Sequence, residues 1–108
     1  MVRMAPRGEL EQRVMELLWA AQQPRTVAEL HAELLAQRSL AYTTVMTVLD
    51  RLAKKGMASR RLVNRAWRYE PAEPQHIVVA REMHQHLVGL APEMRDKVLA
   101  RFQQLLDG

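Results

Sequence analysis

The side chains in this sequence that could take part in chemistry are hydroxyl and basic groups that suit contact with a polyanion. Between Arg51 and Tyr69 the chain carries seven basic residues and no acidic one, and threonines stand just before this stretch at positions 43, 44 and 47. Hydroxyl and methyl groups can approach base edges in the DNA major groove, and lysine and arginine neutralise phosphates. The pattern therefore favours nucleic-acid contact, with a merely solvated basic surface as the alternative.

Enzyme and metal chemistry have little support in the sequence. The chain has no cysteine, which excludes disulfides, thiolate metal sites and cysteine nucleophiles. His84 and His86 would point about 200° apart on a helix, so one metal ion cannot easily take both. Neither a glycine-rich phosphate loop nor a nucleophile elbow is present. We therefore expect no catalytic residue, no metal site and no cofactor, and we place His84 in a dimer seam.

The composition is that of one small globular protein with a basic first part. The chain has 108 residues, with 12 basic and 7 acidic residues over positions 1–71 and 4 basic and 5 acidic residues over positions 72–108. No apolar run approaches the roughly 20 residues needed to span a bilayer. The first eight residues lack the apolar centre of a signal peptide. These features predict a cytoplasmic protein without membrane insertion.

Hydrophobic spacing predicts three helices in the first half of the chain. The first spans residues 9–21, and the second opens at a capping box formed by Thr26 and Glu29. The third begins between positions 41 and 43 and runs to Lys55, where Gly56 ends it. The predicted inner face of the second helix consists of Val27, Leu30, His31, Leu34 and Leu35. The predicted inner face of the third consists of Ala41, Val45, Val48, Leu49 and Leu52.

A basic hairpin and two more helices complete the predicted architecture. Residues 57–71 are typical of a β-hairpin, with Asn64 in the tight turn and Trp67 as the anchor on the core. A fourth helix is expected over residues 73–90, and a fifth starts at Pro92. The fold class is therefore mainly α with a small β-hairpin wing, which is a winged helix-turn-helix plus a C-terminal helical dimerisation segment.

This element order assigns a recognition role to the third helix, about residues 42–55. A winged helix-turn-helix presents a polar face of that helix to the major groove, while the wing reaches the adjacent DNA backbone. Thr43, Thr47 and Lys54 lie opposite Val45 on a helical wheel. The predicted base and phosphate contacts on this helix are Thr43, Thr44, Thr47, Arg51, Lys54 and Lys55. Arg65, near the tip of the wing over residues 57–71, is the predicted wing contact.

Residues 8–71 also resemble the BlaI/MecI penicillinase-repressor family. The resemblance is carried by the segments GELE (8–11), VMELLW (14–19), TVAEL (26–30), LAYTTVMTVLDRL (40–52), KKG (54–56) and NRAWRY (64–69). It implies a homodimeric transcriptional repressor that binds a palindromic operator. The contacts made by such relatives fall on Thr43, Thr44, Thr47, Arg51 and Arg65 of this sequence.

The resemblance further implies a membrane-bound sensor protease as a partner, which cleaves such repressors in the C-terminal region. The nearest match to that cleavage site is Arg101-Phe102. Relatives usually have three helices after the wing, whereas the 37 residues after Pro71 leave room for about two. Copper-responsive members carry a C-terminal cysteine motif, and the absence of cysteine excludes that branch.

The sequence thus predicts a DNA-binding domain over residues 8–71 and a dimerisation region over residues 73–106. The dimer would bury the apolar side chains of Leu87, Val88, Val98, Phe102 and Leu105. Two other functions stay open at this point. One is a winged-helix module for protein–protein interaction, and the other is a regulator gated by a small molecule bound between the C-terminal helices.

Overall fold

The computed structural model describes residues 8–108, so the expectation about the first residues of the chain lies largely outside it. Within residues 8–108 the fold consists of five helices and three short strands. In chain order they are α1 (Gly8–Ala20), β1 (Arg25–Thr26), α2 (Val27–Leu35), α3 (Tyr42–Lys54), β2 (Ala58–Val63), β3 (Ala66–Pro71), α4 (Gln75–Leu87) and α5 (Pro92–Asp107). The predicted fold class, mainly α with a β-hairpin wing, is confirmed.

The local signals that define α2 and α3 act as the sequence predicts. The Thr26 hydroxyl accepts a hydrogen bond from the Glu29 amide at 3.1 Å, and the Glu29 carboxylate accepts one from the Thr26 amide at 2.8 Å. This capping box satisfies two backbone donors that the first turn of a helix leaves free. After α3, Gly56 takes a φ of +78°, a left-handed conformation that glycine adopts without strain.

The hairpin belongs to a three-stranded antiparallel sheet in the order β1–β3–β2. Asn64 and Arg65 connect β2 to β3 with φ values of 51° and 68°. Two consecutive positive φ values match the tight turn whose twist suits paired strands. The strand β1 was not predicted, because two residues are too short to show a period, and only the pairing of Arg25 with Tyr69 reveals it.

The core lies between α1, α2, α3 and the base of the sheet. It is formed by Val14, Met15, Leu17, Leu18, Val27, Leu30, Leu34, Val45, Val48, Leu49, Leu52, Ala58 and Tyr69. The predicted inner faces of α2 and α3 were wrong at one position each. Leu35, at the last turn of α2, is 48% exposed, and Ala41 caps α3 from outside the core.

The predicted anchor of the wing was also wrong. Trp67 is 44% exposed, whereas Tyr69 is only 2% exposed and belongs to the core. The two side chains share one face of β3, since strand residues two apart point the same way. Trp67 stands two residues nearer the hairpin tip, beyond the buried end of the sheet, so Tyr69 anchors the wing.

The helices α4 and α5 extend away from this core. Neither contains a buried residue, and the molecule measures 54 × 26 × 25 Å. The helix α4 is shorter than the predicted 73–90, while α5 begins at Pro92 as predicted. The indole Nε1 of Trp19 donates a hydrogen bond to the Glu73 carbonyl at 3.1 Å, which ties α1 to the segment leading into α4.

Candidate nucleic-acid interface

One face of α3 is packed and the other is open. Val45, Leu49 and Leu52 are completely buried. All six residues predicted to contact DNA on this helix are exposed, and five of them are Thr43, Thr44, Thr47, Arg51 and Lys54, while Lys55 is described below. Thr43, Thr47, Arg51 and Lys54 follow one another at spacings of three or four residues, and Thr44 is next to Thr43, so the five occupy neighbouring rows of the helix surface. The structure therefore places these five predicted residues together on the open side of α3.

The hydroxyl of Thr47 already has one hydrogen bond within the helix. It donates to the Thr43 carbonyl oxygen at 2.9 Å, one turn earlier. A threonine hydroxyl has one hydrogen to donate and two lone pairs that accept. While this bond is kept, Thr47 presents acceptor lone pairs and a methyl group outward.

The wing and α3 face each other across an open cleft of about 590 Å³. Tyr42, Met46 and Thr47 line it from α3, and Arg65 and Trp67 line it from the wing. The cleft thus brings together the predicted helix contact Thr47 and the predicted wing contact Arg65. Met46, which is 44% exposed, and Tyr42, which is 45% exposed, also line the cleft, although neither was among the predicted contacts.

A cluster centred on Arg60 closes one side of the cleft. Its guanidinium lies over the Trp67 ring at 4.5 Å from the centroid, donates to the Tyr69 hydroxyl at 3.2 Å and pairs with Asp50 at 3.5 Å. The hydrogen bond to Tyr69 is the main reason that the pKa of Arg60 is raised, and the charge of Asp50 acts in the same direction. This cluster was not predicted, although Arg60 and Tyr69 are cross-strand partners.

The two adjacent lysines at the end of α3 have different surroundings. Lys54 is well exposed and pairs with Asp50 at 3.0 Å on the open face. Lys55 lies on the side of α1, where its ammonium is 2.9 and 3.1 Å from the carboxylate oxygens of buried Glu11. Lys55 is therefore engaged in a structural ion pair, and its phosphate contact stays a prediction. About 100° of helix rotation separates neighbouring residues, which explains the divergence.

The remaining cations of α3 and the wing, together with one glutamate, complete the electrostatics of this surface. Within residues 8–108, Arg51, Arg61 and Arg65 are exposed and make no ion pair. Arg68 lies 4.0 Å from Glu29. The pKa of Glu29 is lowered, chiefly by the hydrogen bond from the Thr26 amide, with the charges of Arg25 and Arg68 adding to it.

The histidines are not gathered into a metal site. In the part of the chain that the structure describes, no three His, Cys, Asp or Glu side chains could hold a metal ion together. His31 instead lies 2.7 Å from the Leu40 carbonyl and meets the Tyr42 ring edge-on at 5.7 Å. These contacts hold the start of α3 against α2. Over the same residues, every helix is too short or too polar to cross a bilayer.

Three packed helices, a third helix with an open polar face and a hairpin wing beside it define a winged helix-turn-helix protein. More particularly, the chain belongs to the penicillinase repressor family, whose profile matches residues 7–106. Membership of a repressor family agrees with the expectation of a regulatory protein rather than an enzyme.

Individual relatives agree with this assignment. The transcriptional regulator BlaI from two strains of Mycobacterium tuberculosis is 46% identical over 80 residues, which cover 74% of this chain and 58% of the relative. The chain thus spans somewhat more than half the length of these curated relatives. A solved structure of monomeric Bacillus licheniformis BlaI with the blaP half-operator is similar with a TM-score of 0.56 and 25% identity, covering 69% of this chain and 90% of that one.

A more distant likeness concerns the fold alone. The ferric uptake regulator Fur of Helicobacter pylori, a protein with three functional metal-binding sites, is similar with a TM-score of 0.55 at 20% identity. The similarity covers 62% of this chain and 47% of that chain. Because the identity is so low, this likeness bears on the arrangement of helices and wing and not on metal binding.

Proposed function

We propose that this protein is a sequence-specific transcriptional repressor that binds a palindromic DNA operator as a homodimer. The observation that carries the proposal is the shared cleft, across which Thr47 of α3 faces Arg65 of the wing. A duplex whose major groove holds α3 then has its backbone beside the wing tip. The similar structure of B. licheniformis BlaI with a half-operator supports this docking.

In this proposal the threonines on the open face of α3 contact bases, and the basic residues contact phosphates. Thr43, Thr44 and Thr47 lie against base edges in the major groove, where short side chains allow close approach. Arg51 and Lys54 neutralise phosphates at the rim of the groove, and Arg65 does so from the wing. Lys55 has no part in this proposal, because Glu11 of α1 pairs with its ammonium at 2.9 Å.

The hydrogen bond of the Thr47 hydroxyl within the helix limits the kind of base contact that Thr47 can make. Because its hydrogen is given to the Thr43 carbonyl, the oxygen accepts from a base. In the major groove, the donors are the amino groups of adenine and cytosine. Thr47 therefore pairs with an adenine or a cytosine in each half-site.

We further propose that residues 8–71 bind DNA and that residues 73–106 join two chains. Several apolar side chains of α4 and α5 are exposed in the single chain. The residues assigned to the dimer are half-buried Leu87 and exposed Val88, Val98, Phe102 and Leu105, with Val88 directly after α4. A twofold dimer presents two recognition helices to two half-sites of a palindrome. Occupation of an operator then excludes polymerase, and such a repressor works in the cytoplasm with the chromosome.

Charge-matched substitutions on α3 and the wing test the proposal. A duplex is first selected by the wild-type protein from a random-sequence library, and a scrambled duplex of the same composition serves as reference. Binding to both is then titrated over a range of salt concentrations. We expect Lys54→Ala and Arg65→Ala to weaken binding to both duplexes and to reduce the salt slope by about one each.

Lys55→Ala is the matched control, since it removes the same charge one residue further along α3. We expect it to leave the salt slope unchanged. It should instead lower the free energy of unfolding by about 1–2 kcal/mol, because the buried Glu11 carboxylate loses its partner. Failure of the wild-type protein to select any duplex would overturn the proposal in favour of a protein-interaction module. Equal salt slopes in all three variants would overturn the assignment of the phosphate contacts.

A further inference from the structure

Arg60 is the side chain that joins the wing to α3. Its guanidinium on β2 reaches the Asp50 carboxylate on α3 at 3.5 Å. Within residues 8–108 this is the one ion pair between the wing and that helix. On the wing itself, the same group lies over the Trp67 ring and donates to the Tyr69 hydroxyl. One planar cation thus contacts the helix, the outer hairpin and the core end of β3.

Arg60 makes these contacts, whereas its neighbour Arg61 makes none of them. Arg61 is the next residue of β2 and points to the opposite face of the sheet, because strand side chains alternate. It is exposed and makes no ion pair among the described residues. The two arginines carry the same charge on the same strand but differ in whether they touch α3.

Asp50 is an acidic residue on a surface that is proposed to bind DNA. Its carboxylate lies at the edge of the open face of α3, three residues from Thr47, where a negative charge repels a DNA backbone. Asp50 is paired on two sides, with Lys54 at 3.0 Å and with Arg60 at 3.5 Å. A contact that holds the wing accounts for an acid at a place where charge alone disfavours one.

We propose that Arg60 is a positioning residue, which together with Asp50 sets the angle of the wing against α3. Trp67 is the surface on which the guanidinium rests, and Tyr69 fixes it to the core. The angle decides whether Arg65 at the tip meets a phosphate while Thr47 meets a base, since the two line opposite sides of the cleft. The inference rests on the proposed function, because it concerns two surfaces that bind one duplex.

The substitution Asp50→Asn separates positioning from charge by the sign of its effect. Removing a negative charge from a DNA-facing surface should, by charge alone, tighten binding to every duplex. If Asp50 holds the wing, Asp50→Asn raises the affinity for the scrambled duplex but does not raise the affinity for the selected duplex to the same extent. We expect the ratio of the two affinities to fall about three- to fivefold, the scale of one partly exposed ion pair.

Arg60→Gln and Arg61→Gln form a matched pair for a second test. Each removes one positive charge from β2. We expect Arg61→Gln to leave the ratio of selected to scrambled affinity unchanged, and Arg60→Gln to lower it about three- to fivefold. In addition, Arg65→Ala should weaken selected-duplex binding less in the Arg60→Gln background than in wild type, since a wing held loosely has already lost part of that contact.

The outcomes distinguish this inference from the proposed function beneath it. If the wild-type protein selects no duplex, the proposed function itself fails. If it does select one, and Asp50→Asn tightens binding to both duplexes equally, positioning by Asp50 is overturned. If Arg60→Gln weakens both duplexes equally and its effect adds to that of Arg65→Ala, Arg60 is a phosphate ligand and not a positioning residue. Thermal melts of each variant confirm that the compared proteins are folded.

Discussion

At the scale of single residues, Thr47 shows how the fold restricts a contact that residue type leaves open. A free hydroxyl can donate or accept, but the bond to the Thr43 carbonyl uses its hydrogen. Serine and threonine hydroxyls within a helix commonly donate such a hydrogen bond to the backbone carbonyl one turn earlier. Thr47 is exposed and lies outside the core, so its side chain can change without loss of packing.

We predict that Thr47→Val lowers affinity for the selected duplex by roughly 1–3 kcal/mol per half-site, because valine keeps the shape and methyl group but loses the accepting oxygen. A symmetric dimer should lose this amount twice. Affinity for a scrambled duplex should hardly change, and stability should stay within about 0.5 kcal/mol. Titration of both duplexes at one salt concentration measures the difference.

Thr47→Ser serves as the control for this prediction, since it keeps the hydroxyl and removes only the methyl group. It should retain most of the selected-duplex affinity. Equal losses of Thr47→Val on both duplexes, or no loss on either, would show that Thr47 reads no base. A large fall in melting temperature would contradict its place on the open face.

At the scale of elements, the start of α2 links helix capping to the sheet. Glu29 closes the capping box and also faces Arg25 of β1 and Arg68 of β3. The same carboxylate therefore stabilises the first turn of the helix and its contact with the sheet. The charged form strengthens both effects, and the lowered pKa of Glu29 reflects this.

This lowered pKa predicts an acid-sensitive contribution to stability. A carboxyl group whose pKa is lower in the folded chain stabilises the fold above its unfolded pKa, here about 4.5. That contribution is lost as the pH falls from about 4.5 through the folded pKa. We expect Glu29→Gln to melt at a lower temperature than wild type at pH 7, and the difference to shrink below about pH 4.5.

Thermal melts between pH 7 and pH 3 measure this effect. Glu82→Gln is a suitable control, because Glu82 on α4 makes no ion pair within the described residues. The gap in melting temperature between Glu82→Gln and wild type should not change with pH in the way expected for Glu29→Gln. A constant gap between Glu29→Gln and wild type at every pH would mean that the charge of Glu29 contributes nothing.

At the scale of the whole molecule, the extended shape leaves apolar side chains of α4 and α5 without a packing partner within the described residues. The radius of gyration is 16.9 Å, whereas a compact chain of this length has about 13 Å. The excess comes from α4 and α5, whose apolar side chains are left in solvent. Large exposed apolar patches mark interaction surfaces. Under the proposed function the occupant is a second copy of the chain, because a palindromic operator offers two half-sites.

We predict that light scattering at micromolar concentration gives about twice the 12.5 kDa chain mass. Leu87→Asp with Phe102→Asp should dissociate the dimer, because a charge in an apolar seam is strongly disfavoured. Leu35→Asp is the control, since Leu35 is an exposed leucine on α2 outside the proposed seam. A wild-type monomer, or dissociation by the control, would contradict the dimer as proposed.

The sequence by itself determined those features whose causes are local. The capping box at Thr26, the end of α3 at Gly56 and the hairpin turn at Asn64 each depend on residues a few positions apart. The open face of α3 follows from the periodicity of Val45, Leu49 and their neighbours. For that reason the helices, the wing and the exposure of most candidate DNA contacts were predicted correctly.

Only the tertiary structure decided the features that join distant segments. Lys55 is committed to Glu11, 44 residues away, although its neighbour Lys54 stays on the open face. Trp67 and Tyr69 share a strand face, yet only Tyr69 reaches the core, because the buried end of the sheet lies beneath it. The pairing of Arg60 with Asp50 likewise depends on how the hairpin lies against α3. The physical reason is that periodicity gives the direction of a side chain within its own element, while its partner depends on where the other elements pack.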